Sequence, residues 1–76
     1  MIKEHARVVL TTDVRDARLA AGDVGTVVHV YADKGAYEVE FLTLTGRTAA
    51  VVTLEAGQVR PVGRRDIAHA RELEKA

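Results

Sequence analysis

No cysteine occurs in the chain. A disulfide framework and a thiolate metal site are therefore both excluded. The lack of cysteine also fits a reducing compartment. Neither sign of charge is in excess. Lys plus Arg and Asp plus Glu each total 11, for a formal net charge of zero. Nucleic-acid modules usually carry a basic excess, because phosphate contacts supply most of their affinity. Neutrality argues against RNA or DNA as the main partner. Aromatics are scarce as well, with two Tyr, one Phe and no Trp. Few bases could be stacked on so small a set. No apolar run approaches the ~20 residues that span a bilayer. The opening Met-Ile-Lys-Glu-His-Ala-Arg is charged and has no apolar signal core. These absences predict a cytoplasmic protein with no membrane contact. With 76 residues the chain makes one domain. A domain of that size buries only about 60% of its unfolded surface, so its core is thin.

What is present is β-branched and punctuated by turns. Arg7 to Thr11 (RVVLT) reads as a first strand. A polar connection follows over Thr12 to Ala21, where Asp13, Arg15, Asp16 and Arg18 alternate in sign. Leu19 is the one large apolar residue near its end and is expected to fold back on the core. Val24 to Tyr31 is a second strand, entered through the turn pair Gly22-Asp23. Ala32-Asp33-Lys34-Gly35 reads as a hairpin turn in which Gly35 is free to take a positive φ. Ala36 to Leu42 alternates: Tyr37, Val39 and Phe41 face one way, Glu38 and Glu40 the other. After the turn Leu44-Thr45-Gly46-Arg47 comes a fourth strand, Thr48 to Leu54. It is too apolar to show alternation, which suggests cover on both sides. Glu55 to Gln58 predicts one turn of 3₁₀ helix. Val59 to Val62 is a fifth strand, held to an edge by Pro61, which has no N–H for a ladder.

From Gly63 the composition turns helical. Asp66 could cap a short helix, with Ile67, Ala70 and Leu73 roughly on one side. The expected fold is all-β: a small five-stranded SH3-like barrel over residues 1–62 with a short C-terminal helical tail over 63–76. In that layout Gly22 and Gly25 have mechanical jobs. Gly22 lets the chain turn into the second strand, and Gly25 permits a bulge or the close approach of a neighbour. A phosphate-cradling loop would need a helix after the glycines, and a Val-rich strand follows instead.

The run Gly22-Asp23-Val24-Gly25-Thr26-Val27-Val28, followed by Tyr37-Glu38-Val39-Glu40-Phe41, resembles the strand pair of KOW-type and other SH3-like barrels. Residues 1 to 62 more closely resemble a family of small bacterial proteins, domain of unknown function four-nine-two-six. The matching pieces are Val8 to Thr11, Ala21 to Tyr31, Ala36 to Phe41 and Val59 to Val62. The resemblance brings no established activity with it. It implies a small barrel, of a kind sometimes suspected to be the antitoxin-like partner of a neighbouring toxin. The tail from Gly63 lies outside it.

No residue pattern points to catalysis, a cofactor or a metal. Catalysis needs a nucleophile beside a base, or paired carboxylates in a cleft. His5, His29 and His69 are scattered and lack ligand spacing; three solvated histidines are favoured over a zinc triad. The expectation is a non-catalytic protein-binding module, antitoxin-like or regulatory. It would act through a barrel edge and the Thr12–Ala21 loop. Arg15, Arg18, Tyr31, Glu38 and Glu40 are the partner-binding residues this reading selects, and Gly22, Gly25 and Gly35 the structural ones. The tail, through Ile67 and Leu73, could dock on a second copy or on the chain's own barrel. The alternative is a KOW-like adaptor on RNA or a ribonucleoprotein, with Arg47 and Arg60 joining the loop arginines.

Overall fold

The computed structural model describes residues 2–73. Five antiparallel strands form one sheet: β1 (Arg7–Leu10), β2 (Val24–Tyr31), β3 (Ala36–Leu42), β4 (Thr48–Glu55) and β5 (Val59–Pro61). Their order across the sheet is β4-β3-β2-β1-β5. Consecutive strands pair by hairpins until β5, which crosses back to lie beside β1. Short 3₁₀ turns occupy Arg15–Ala17, Ala32–Lys34 and Ala56–Gln58. The described residues contain no longer helix, and none able to cross a membrane.

The shortness of the last connection dictates the shape. β4 ends at Glu55 and β5 begins at Val59, at opposite edges of the sheet. Four residue steps reach at most about 14 Å. Four strand spacings across a flat sheet measure about 19 Å. The sheet must therefore curl until its edges approach. A reciprocal capping box between Glu55 and Gln58 holds this turn. Its flanks are tied down as well: Thr11 N–H donates to the Gln58 carbonyl, and Ala56 N–H to that of Gly35.

Curling brings side chains from every strand into one core. Val8 and Leu10 come from β1, Val27 from β2, Tyr37, Val39 and Phe41 from β3, Leu54 from β4 and Val59 from β5. Leu19 folds in from the first loop, which an isolated bridge between Val14 and Leu19 closes. The alternation along β3 holds as expected, and Tyr37 and Phe41 are both buried. Gly25 lies where the sheet is tightest. A Cβ there would stand 2.6 Å from Val39 Cγ1 and 2.9 Å from Phe41 Cε2. It supplies the close approach, while the β2 bulge falls between Val27 and His29.

Two expectations need correction. β4 is not covered on both sides: it is an outer strand, and only Leu54 in it is fully buried. A five-stranded sheet with no long helix has nothing to lay over that strand, however apolar its residues. The tail is not helical over its described part, residues 63–73; residues 74–76 lie outside the described residues. Asp66 does not cap a helix. Its carboxylate accepts two hydrogen bonds from Arg60, each 2.9 Å, and one from Gly63 N–H at 2.6 Å. Short helices are marginal in water, and here charged contacts to the sheet and first loop hold the tail extended. Ile67 is 91% exposed.

Candidate functional site

The residues selected from sequence fall into two groups. Arg15 and Arg18 stand in the first loop. With Asp13, Leu19, Ala20 and Arg71 they line a groove of about 440 Å³. The loop is braced by its own acids. Asp13 accepts from Ala21 N–H and Asp23 from Ala20 N–H, both at 2.9 Å. Arg18 takes the left-handed conformation, φ 59°, at the end of the 3₁₀ turn. Arg71 reaches in from the tail. Its Nε and Nη2 grip the two oxygens of Asp23, and Nη2 also donates to the Arg18 carbonyl. Burial works to raise the Asp23 carboxyl. The hydrogen bonds from Arg71 and Ala20 and the Arg71 charge outweigh it and hold the group below its ordinary value. The interleaved loop charges, read from sequence as a contact surface, are thus partly consumed in holding the loop's own shape.

Tyr31, Glu38 and Glu40 lie on the outer face of the sheet. Tyr31 Oη donates to Glu38 Oε1 at 3.5 Å and meets the His29 ring edge-on, centroids 4.6 Å apart. Thr53 of β4 donates to the same Glu38 oxygen, and Thr48 to Glu40 Oε2 at 2.8 Å. The two glutamates therefore tie β3 to β4 across the outside. Their charge remains on the surface, but their oxygens are engaged. Among the described residues no hydrogen bond or ion pair joins this group to Arg15 or Arg18. Of the structural glycines, Gly22 and Gly35 adopt φ of 96° and 62°, the left-handed values that favour glycine.

The surface that sequence reasoning underrated is the β4 edge. From Thr48 to Leu54 it has no charge, no proline and no glycine (TAAVVTL). Val51 in the strand is 49% exposed, and the adjoining Leu42 and Leu44 are 47% and 86% exposed. The apolar composition was visible in the sequence, but whether the strand lay inside or at an edge was not. The direction of its free backbone groups can be derived. Ala56 N–H bonds to the Gly35 carbonyl one step beyond the pair Ala36–Glu55. Bonded and non-bonded pairs alternate in an antiparallel ladder. Ala50, Val52 and Leu54 thus bond to β3, while Val51 and Thr53 turn their N–H and C=O outward. Such a row is a template for another strand.

Comparison with known proteins adds a family and nothing further. The family model "Domain of unknown function (DUF4926)" matches residues 4–61, and the chain belongs to that family. No curated protein and no solved structure matches it.

Proposed function

We propose that this DUF4926 member is a non-catalytic protein-binding module that recruits its partner by strand addition at the β4 edge. The observation that carries the reading is that edge: eight residues, no charge before Glu55, and outward N–H and C=O groups at Val51 and Thr53. Only another polypeptide backbone can complete such a ladder, and nucleic acid cannot. The formal charge of zero favours the same side. The strand order, with a 3₁₀ turn before β5, supports reading the curled sheet as an SH3-like barrel. In this reading Arg15 and Arg18 of the first-loop groove, and Glu38 and Glu40 of the outer face, add charge selectivity to the apolar recognition at β4. Occlusion of a partner surface in this way is antitoxin-like or regulatory work. The cysteine-free composition supports a cytoplasmic setting.

The test is capture from native lysate, with and without nuclease, by wild-type protein and by Val51→Lys. A lysine at an edge opposes strand addition, and Val51 is exposed enough to accept one. A protein retained after nuclease treatment and lost with Val51→Lys is the expected result. Capture abolished by nuclease, and falling steeply with salt, would overturn the reading in favour of a KOW-like RNA adaptor.

A further inference from the structure

The β4 edge also carries a pattern that bears on which strand completes it. Arg47 stands just before β4 and Glu55 at its end, with nothing charged between. Among the described residues Arg47 makes no ion pair. Glu55 uses its carboxylate to accept the Gln58 N–H in the capping box and makes no ion pair among the described residues. A strand with a cation at one end, an anion at the other and an apolar middle is complementary to itself when reversed. Antiparallel pairing of two such strands sets opposite charges together at both ends. Parallel pairing sets like charges together at both ends.

We infer that β4 pairs antiparallel with β4 of a second copy of this chain, centred on Val51, so that two sheets join into one of ten strands. The inference rests on the reading of β4 as a strand-adding edge and names the occupant. The centre follows from two observations. Val51 turns its backbone groups outward, so two Val51 residues across a two-fold axis can exchange both hydrogen bonds. Val51 is the exposed large apolar residue of the strand, and this register covers it with its own copy. Arg47 is also brought toward Glu55 of the second copy. The register shift between Phe41 and Leu42 leaves Ala49 as an extra residue in β4. Counting that bulge, Thr48 comes opposite Thr53 of the second copy. Arg47 then lands one residue from its Glu55, within reach of a long side chain. A centre at Val52, counted the same way, would bring Arg47 equally near Glu55 but would set Val51 opposite Thr53 instead of its own copy. The outer faces join as well. Thr48 and Thr53, which cover Glu40 and Glu38 within one copy, meet across the axis as a threonine pair.

Strand pairing over so few residues makes a small interface, so the dimer should form and dissociate over roughly 10–500 µM. Light scattering of the full chain across that range should show the mass double from 8.2 kDa. Because the chain has no cysteine, a single Val51→Cys is a clean reporter. Two such residues facing across the axis lie about 5.5 Å apart at Cα, within the range a disulfide spans. Val51→Cys should therefore oxidise to a covalent dimer faster than Leu44→Cys, although Leu44 is the more exposed. Arg47→Glu should weaken association roughly tenfold, since two attractive pairs become repulsive. Glu55→Gln, which keeps an acceptor for the cap, should recover part of that loss in the double variant. A monomer at every concentration, or a Val51→Cys chain that cross-links no faster than Leu44→Cys, would overturn the self-pairing. The protein-binding reading would survive that result if captured partner still shifts β4 amide resonances. Conversely, a dimer that captures nothing else refutes the foreign partner and leaves the self-pairing intact.

Discussion

The two edges of this sheet are built to opposite plans. β5 is three residues long, contains Pro61, and presents Arg60 clamped to Asp66. Each feature discourages a neighbour: a short strand offers few bonds, proline removes a donor, and a charged side chain resists burial. β4 is eight residues long and has none of these guards along its apolar stretch; only the bulge at Ala49 interrupts it. A small all-β protein that protects one edge and leaves the other open separates where it must stay alone from where it can be joined. Both edges are secured inward by one buried residue each, Leu54 in β4 and Val59 in β5.

Both edges depend on the close approach of β2 and β3 at Gly25. Gly25→Ala places a methyl within 2.6 Å of Val39, and Val39 is fully buried and cannot yield. A loss of about 3 kcal/mol or more is expected, read as a large fall in melting temperature or failure to fold. Next come the two anchors. Leu54→Ala should cost about 3 kcal/mol and Val59→Ala about 1.5 kcal/mol, measured by urea unfolding. Equal losses would mean that the open edge is no more deeply seated than the guarded one. Smaller still is the tail. Arg71→Ala removes the grip on Asp23 and the Arg18 carbonyl. It should loosen the first loop, seen as faster amide exchange at Ala20, with less effect on β4 or β5.

The smallest effect is one of pH. Asp23 and Asp66 both titrate below the ordinary value of 3.8 when folded. Groups lowered by folding stabilise the native state above the unfolded value, and that contribution is lost as pH falls through the folded one. The stability difference between the full chain and a chain truncated after Val62 should therefore be present at about pH 6 and shrink below about pH 3.8. A difference that held constant into acid would show that the tail's contribution is not carried by these aspartates.

Much of this fold was legible in the residues. The Tyr37-Glu38-Val39-Glu40-Phe41 alternation named the inner and outer faces of β3 because side chains along a regular strand, free of bulges, point to alternate faces. Pro61 named an edge because it lacks a donor. Glu55 to Gln58 named a 3₁₀ turn. The partner-binding residues were legible only in part. Tyr31 and Glu38 do meet, yet the Thr48 and Thr53 hydroxyls that engage the glutamates lie 8 and 15 residues away from them. The Arg71–Asp23 pair spans 48 residues, and no local pattern signals a contact of that range.

What the sequence determined by itself was the strand list, the turn positions and the core face, since these follow from backbone propensity and side-chain period. It also determined that β4 would be apolar and flanked by opposite charges. Tertiary structure alone decided what that composition means. Apolar residues without alternation describe a buried central strand and an uncovered edge strand equally well. The choice was made by the turn Ala56–Gln58, too short to cross a flat sheet, which curled the sheet and sent β5 to pair with β1. That left β4 with a neighbour on one side only. The tail was decided in the same way. Its residues favour a helix locally, but Asp66 and Arg71 find charged partners on the folded sheet and loop, and those contacts exist only once the strands are assembled.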